Sequence, residues 1–317
     1  MKLSPIISKL PLELVAVTGH TRSGKAIMLN VISSFSKFEK NTMEPVLEDV
    51  ARLNFIGKLD EPSAIYLMRR IMLINMYYLS IGRALNYRKK DVTSIFSYRN
   101  PELYIKRSKL KEGDKTLTDF LKKKPVIPIM IHDGIIFSNL LFKAFPRMKI
   151  IEMEKNPIEL AYSWINKKYE AGFEKNIRST TMRLNYKHEY ITYFIKKQFD
   201  EYLKLNKYDK VVFSLCQLNE HKKKLFLNLN KKNQQNILRI NHLKFTTKTD
   251  ETLRKIQYFL NKKKNIYTSE VLKKINCPRK INLKDLINKK KFLQKKLSKK
   301  YFNMIITLEK NFLKNSR

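Results

Sequence analysis

The stretch from Val15 to Leu29, VAVTGHTRSGKAIML, constrains this chain more than any other. An apolar, β-branched run stops at Gly19, a short polar loop runs from His20 to Lys25, and a segment with helical spacing follows through Ile27, Met28, Val31 and Ile32. Strand, glycine-bounded loop and helix in that order make a phosphate cradle, because free amides and the dipole at a helix N-terminus favour an anion. Further continuous apolar runs recur along the chain. VIPIMIHDG ends in His132, Asp133 and Gly134; MKIIEMEKNP has Ile150 and Ile151 in a strand and a turn at Asn156-Pro157; NILRINHLKF is a further strand. Apolar strands separated by helices predict a mostly parallel sheet covered on both faces, an α/β three-layer sandwich.

Between these runs the chain reads as helix. NTMEPVLEDVARLNF is a loop leading into a polar helix, and a helix is expected from Ile136 to Phe145 and again from Ile158. Pro62 opens a long helix from about Ser63 to Tyr87, with Ile65, Met68, Met72, Met76 and Leu79 on its core face. The polar stretch from Ser97 to Pro125 reads as a surface excursion. Thr249 and Thr252 occupy capping positions for a helix that follows the last strand. The spacing therefore predicts an α/β domain over residues 1–280 with a helical insertion at about 59–124. Residues 281–317 form a basic amphipathic helix packed on it, with Leu286, Leu293, Leu297, Tyr301, Ile305, Leu308 and Phe312 along one stripe.

Charge and composition bound the function classes. The net charge of +38 attracts anions, but the lysines are scattered and accompany abundant Asn and Ile, as an AT-rich coding sequence produces. The 16 Tyr and 18 Phe are dispersed rather than interleaved with basic residues, which speaks against a specific nucleic-acid partner. Cys216 and Cys277 have neither zinc spacing nor a disulfide framework. Ser8, Lys9, Pro11 and Glu13 interrupt any signal-peptide core, and the apolar run from Ile71 is too short to span a bilayer. A cytoplasmic protein without a transmembrane segment is the expectation.

Three segments resemble a known family. HTRSGKAIMLNVI looks like the 5′-phosphosulfate loop of sulfotransferases, MKIIEMEKNPIELAYSW resembles their 3′-phosphate segment, and ILRINHLKFTTKTDETLRKIQYFLN is similar to a third segment. They occur in the family's order between about residues 12 and 262. The likeness is nearest to carbohydrate- and tyrosylprotein-type members, and it implies a P-loop NTPase-like fold with helix-rich insertions. It also implies 3′-phosphoadenosine 5′-phosphosulfate (PAPS) as donor, an anionic nucleotide, with no metal required. On that resemblance Thr21, Arg22, Ser23, Gly24, Lys25 and Ala26 hold the 5′ end, and Lys155 and Ser163 the 3′-phosphate. Lys155 stands where the family has Arg, Glu159 where it has Asp, and Lys25 and Ala26 where small hydroxylated residues are common.

The same likeness implies sulfuryl transfer by in-line displacement, with Arg22 stabilising charge on the bridging oxygen. Two residues compete for the base. His132 resembles the catalytic His of cytosolic members, and Glu44 the catalytic Glu of the tyrosylprotein-type ones. The Arg-Ser-Gly of the loop favours Glu44, whose role requires burial to raise its pKa, with His132 assisting. The acceptor, a hydroxyl or amine of a glycan, lipid, small molecule or tyrosine, is expected against residues 59–124, with Tyr98 and Arg99 as contacts. The alternative is a P-loop kinase or ATPase. Gly19, Gly24 and Lys25 fit its spacing and Asp133 is a candidate metal ligand, but Ala26 replaces the magnesium-binding hydroxyl.

Overall fold

Strand β1, Glu13–Gly19, is buried at every residue after Glu13, and a strand apolar on both faces belongs in the middle of a covered sheet. The computed structural model describes residues 13–91, 93–98, 100–169, 181–195, 198–280 and 282–315. Beyond β1 the strands are β2 (Thr42–Met43), β3 (Val126–His132), β4 (Lys149–Glu154), an antiparallel hairpin β5 (Arg183–Tyr186) and β6 (Glu189–Thr192), and β7 (Ile237–Asn241). Five of them form one parallel sheet in the order β2-β3-β1-β4-β7. Because β3 and β4 flank β1, the chain reverses its direction across the sheet there and leaves a crevice at the strands' carboxyl ends.

Alternation along the strands feeds two cores. Val15, Val17, Ile151 and Met153 pack with α1 (Lys25–Ser33) and the helix Thr249–Leu260 on one face. Leu14, Ala16, Ile127, Ile129 and Ile131 face the other side, where α2 (Pro45–Phe55), α3 (Glu61–Ile81), α6 (Ser138–Ala144) and α7 (Pro157–Asn166) lie. The result is an α/β three-layer sandwich. Met68 and Met72 of α3 are fully buried, each contributing about 1.5–3 kcal/mol relative to exposure.

Several sequence expectations need correction. Helix α3 stops at Ile81 rather than Tyr87, because Gly82 takes a left-handed turn at φ 65°. The polar excursion is anchored inward: α4 (Pro101–Arg107) and α5 (Asp114–Lys122) bury Tyr104, Arg107 and Phe120. Arg107 donates to both carboxylate oxygens of buried Glu39, at 2.8 and 3.0 Å. The last strand ends at Asn241, whose side chain accepts from Leu243 N and Lys244 N and starts a helix at His242. Thr249 and Thr252 do not cap; their hydroxyls donate to the carbonyls of Phe245 and Lys248 in the turn before. The expected single C-terminal helix is two, Leu283–Lys296 and Lys299–Asn315. The break falls at Leu297–Ser298, where Asp209 accepts from Ser298 N at 3.0 Å. Leu293, Leu297, Tyr301 and Ile305 remain buried across it. Most of the N-terminal segment read for targeting, and Arg99, lie outside the described residues.

Candidate active site

Register places the site. Gly19 is paired with His132, Met43 with Met130, and Glu154 with Asn241, so the residues that follow these strands emerge along one edge of the sheet. They enclose an open cleft of about 390 Å³ lined by Arg22, Lys25, His132, Lys155, Ser163 and Arg279 among others, within the roughly 300–1,000 Å³ of ligand sites.

The loop after β1 is held by close packing. A side chain on Gly19 would meet the Met153 carbonyl oxygen at 2.4 Å, and one on Gly24, at φ 96°, would meet the His242 ring at 2.4 Å. Helix α1 starts at Lys25 with no side-chain cap among the described residues. The N–H groups of its first turn therefore have no intrahelical acceptor, and Gly24, Lys25, Ala26 and Ile27 all line the cleft. Lys25 is buried and donates to the His20 carbonyl at 3.2 Å. Burial lowers its pKa to about 8. A buried ammonium beside free amides is the donor set of an anion site.

The second segment meets the first directly. Arg22 Nε donates to Ser163 Oγ at 3.3 Å, and Trp164 Nε1 donates to the Thr21 carbonyl at 2.8 Å. Lys155 follows β4, its pKa lowered by burial. His242 and Arg279 complete the wall. Burial first, then Lys155 and Arg279, push the His242 pKa down to about 4, which keeps it neutral among cations.

No family model matches the chain, and no curated protein matches it. Among solved structures it is similar to the sulfotransferase domain from the curacin biosynthetic pathway, 11% identical with a TM-score of 0.44 over 82% of this chain and 77% of that one. It is also similar to the sulfotransferase domain from the Synechococcus PCC 7002 olefin synthase, at 10% identity and a TM-score of 0.43 over 89% and 82%. A sulfotransferase from Mycobacterium avium gives 9% and 0.42 over 91% and 78%.

Of the residues singled out from sequence, Thr21, Arg22, Gly24, Lys25, Ala26, His132, Lys155 and Ser163 share the cleft. Ser23 does not line it; its hydroxyl is buried with no hydrogen-bond partner among the described residues, and its N–H is taken by the His20 carbonyl at 3.0 Å. Glu44 is also outside the lining. It sits at the start of α2 with its carboxylate toward Asn75 and Lys40, and burial raises its pKa. Tyr98 donates its hydroxyl to the Phe38 carbonyl and packs on Tyr104, away from the cleft. Asp133 turns from the cleft to His20 Nδ1, 2.7 Å away. Burial pushes the Asp133 carboxyl up, but the His20 contact together with the Lys25 and His132 charges holds it below its ordinary value.

Sequence reasoning missed Glu48, His242 and Arg279. Glu48 lies behind His132, its Oε1 3.0 Å from His132 Nδ1, and is itself paired with buried Arg52. A signal for it exists: Glu48 and Arg52 form an i,i+4 pair flanked by Leu47 and Ala51, on a face that is buried. His242 and Arg279 reach the cleft only through the fold.

Proposed function

We propose that this chain is a sulfotransferase that moves a sulfuryl group from 3′-phosphoadenosine 5′-phosphosulfate to a hydroxyl or amine, with His132 as general base. The contact of Arg22 with Ser163 carries the reading. It brings the two segments that resemble 5′- and 3′-phosphate sites to one cleft, so a single doubly phosphorylated nucleotide can engage both. The donor set fits such a molecule: Lys25 and the α1 amides for the 5′ end, Lys155, Ser163 and Arg279 for the 3′-phosphate.

The donor supplies an activated sulfuryl group on a phosphate leaving group. Arg22, in the loop, places a guanidinium where charge grows on the bridging oxygen. His132 takes the acceptor proton at Nε2. Glu48, facing Nδ1, holds the imidazole with that nitrogen protonated and stabilises the imidazolium that forms. This geometry supports His132 over Glu44, which does not line the cleft and interacts with Asn75 and Lys40. It also weighs against the kinase alternative, since Asp133 is committed to His20 and Ala26 brings no hydroxyl to the loop.

The test is calorimetry with 3′-phosphoadenosine 5′-phosphate in EDTA. Binding that is lost in Arg22→Ala and Lys155→Ala is expected, and no binding by the wild type ends the proposal. Turnover of a labelled sulfate donor against glycan, lipid and small-molecule acceptors then identifies the acceptor.

A further inference from the structure

The two C-terminal helices grip the segment that carries Lys155 and Ser163. Asn156 opens α7, its side-chain Oδ1 accepting from Ile158 N at 2.8 Å, while its Nδ2 donates to Glu309 Oε1 of the helix Lys299–Asn315 at 3.2 Å. Glu309 is buried, and its other oxygen accepts from Lys290 Nζ at 3.2 Å. One helical turn on, Glu159 stands between two ammonium groups. Its Oε1 lies 3.5 Å from Lys289 Nζ and 4.0 Å from Lys155 Nζ. Lys289 is set by Asp285 on its own helix and lies over the Tyr162 ring, while Phe292 meets that ring edge-on at 5.2 Å.

We infer that Lys289 is a positioning residue for the nucleotide site: it draws the Glu159 carboxylate away from Lys155, so that Lys155 keeps its charge available to an anion in the cleft. A carboxylate within 4.0 Å of the Lys155 ammonium would otherwise pair with it. An ammonium so paired attracts a phosphate less, because the carboxylate both neutralises it and repels the ligand. The C-terminal helices thus act on the cleft without lining it. This inference rests on the reading above, in which Lys155 holds a phosphate.

The experiment is a double-mutant cycle on affinity for 3′-phosphoadenosine 5′-phosphate, with thermal melts as a folding control. Lys289→Met weakens binding roughly three- to tenfold, Lys289→Arg restores it, and most of the loss disappears when Glu159 is already Gln. An equal loss in both backgrounds, or no loss in Lys289→Met, overturns the inference. A second readout needs no nucleotide. In lysine side-chain NMR of the free protein, Lys289→Met raises the Lys155 titration point, and the rise shrinks in the Glu159→Gln background; an unchanged Lys155 titration overturns it equally. Failure of the wild type to bind nucleotide, with the NMR coupling intact, counts against the sulfuryl-transfer reading instead.

Discussion

Glu48 Oε1 lies 3.0 Å from His132 Nδ1 and accepts the His132 main-chain N–H at 3.2 Å. Both contacts cross from α2 to the end of β3, and Arg52 holds the carboxylate from behind. The imidazole is thereby fixed at one nitrogen, and His132 lines the cleft. His132→Ala is expected to lower turnover by about 10²–10⁴, the usual worth of a positioned base. Glu44→Gln changes turnover by less than about threefold, since that side chain faces Lys40 and Asn75. Steady-state rates for the two variants decide between them. A large loss in Glu44→Gln with little in His132→Ala reverses the assignment.

Lys25 gives the site a pH dependence of defined sign. Its pKa in the free protein is about 8, and a bound phosphate favours the charged form. Affinity is therefore full below pH 8 and falls as pH rises past it, by about tenfold between pH 7 and 9. The stability of the free protein moves the other way: above pH 8 the unfolded chain still holds a proton that the folded site has released, so stability rises. Calorimetry and melts across this range check both trends, and Lys25→Met flattens them.

Gly24 tests the close approach of the loop to His242. At φ 96°, with a Cβ 2.4 Å from the His242 ring, Gly24→Ala meets both backbone strain and a clash. The expected cost is about 1–3 kcal/mol in stability, together with loss of nucleotide binding. In a His242→Ala background the clash is gone and the strain remains, so part of the stability returns. An additive result excludes the contact.

The buried pair of Arg107 with Glu39 ties the helical insertion to the segment before β2. Arg107→Ala removes the guanidinium paired with the buried carboxylate and leaves it the Tyr104 hydroxyl; the expected cost is about 3–5 kcal/mol in denaturant unfolding. A loss below about 1 kcal/mol would place the insertion outside the cooperative fold.

Strand β2, in a stretch read as loop, and the hairpin β5–β6 were not read from the sequence, whereas β1 and β3 were legible because a strand covered on both faces runs apolar. Val15 to Val17 and Ile127 to Ile131 have that property within a few residues of chain. The loop from Gly19 to Lys25 was legible for the same reason, since tight turns and helix starts are local. The ends of α3 and of the last strand were misread where a glycine in left-handed geometry or an asparagine cap overrides periodicity.

By itself, then, the order of residues determined the layers of the fold and singled out two segments that line the cleft, each specified by neighbours a few positions away. Only tertiary structure decided that Arg22 touches Ser163, that Glu48 rather than Glu44 serves the strand-end imidazole, and that Arg279 enters the cleft. Those outcomes depend on strand register and on helix packing, across 84 residues of chain for Glu48 and His132 and 141 for Arg22 and Ser163. No local pattern encodes where two such distant groups come to rest.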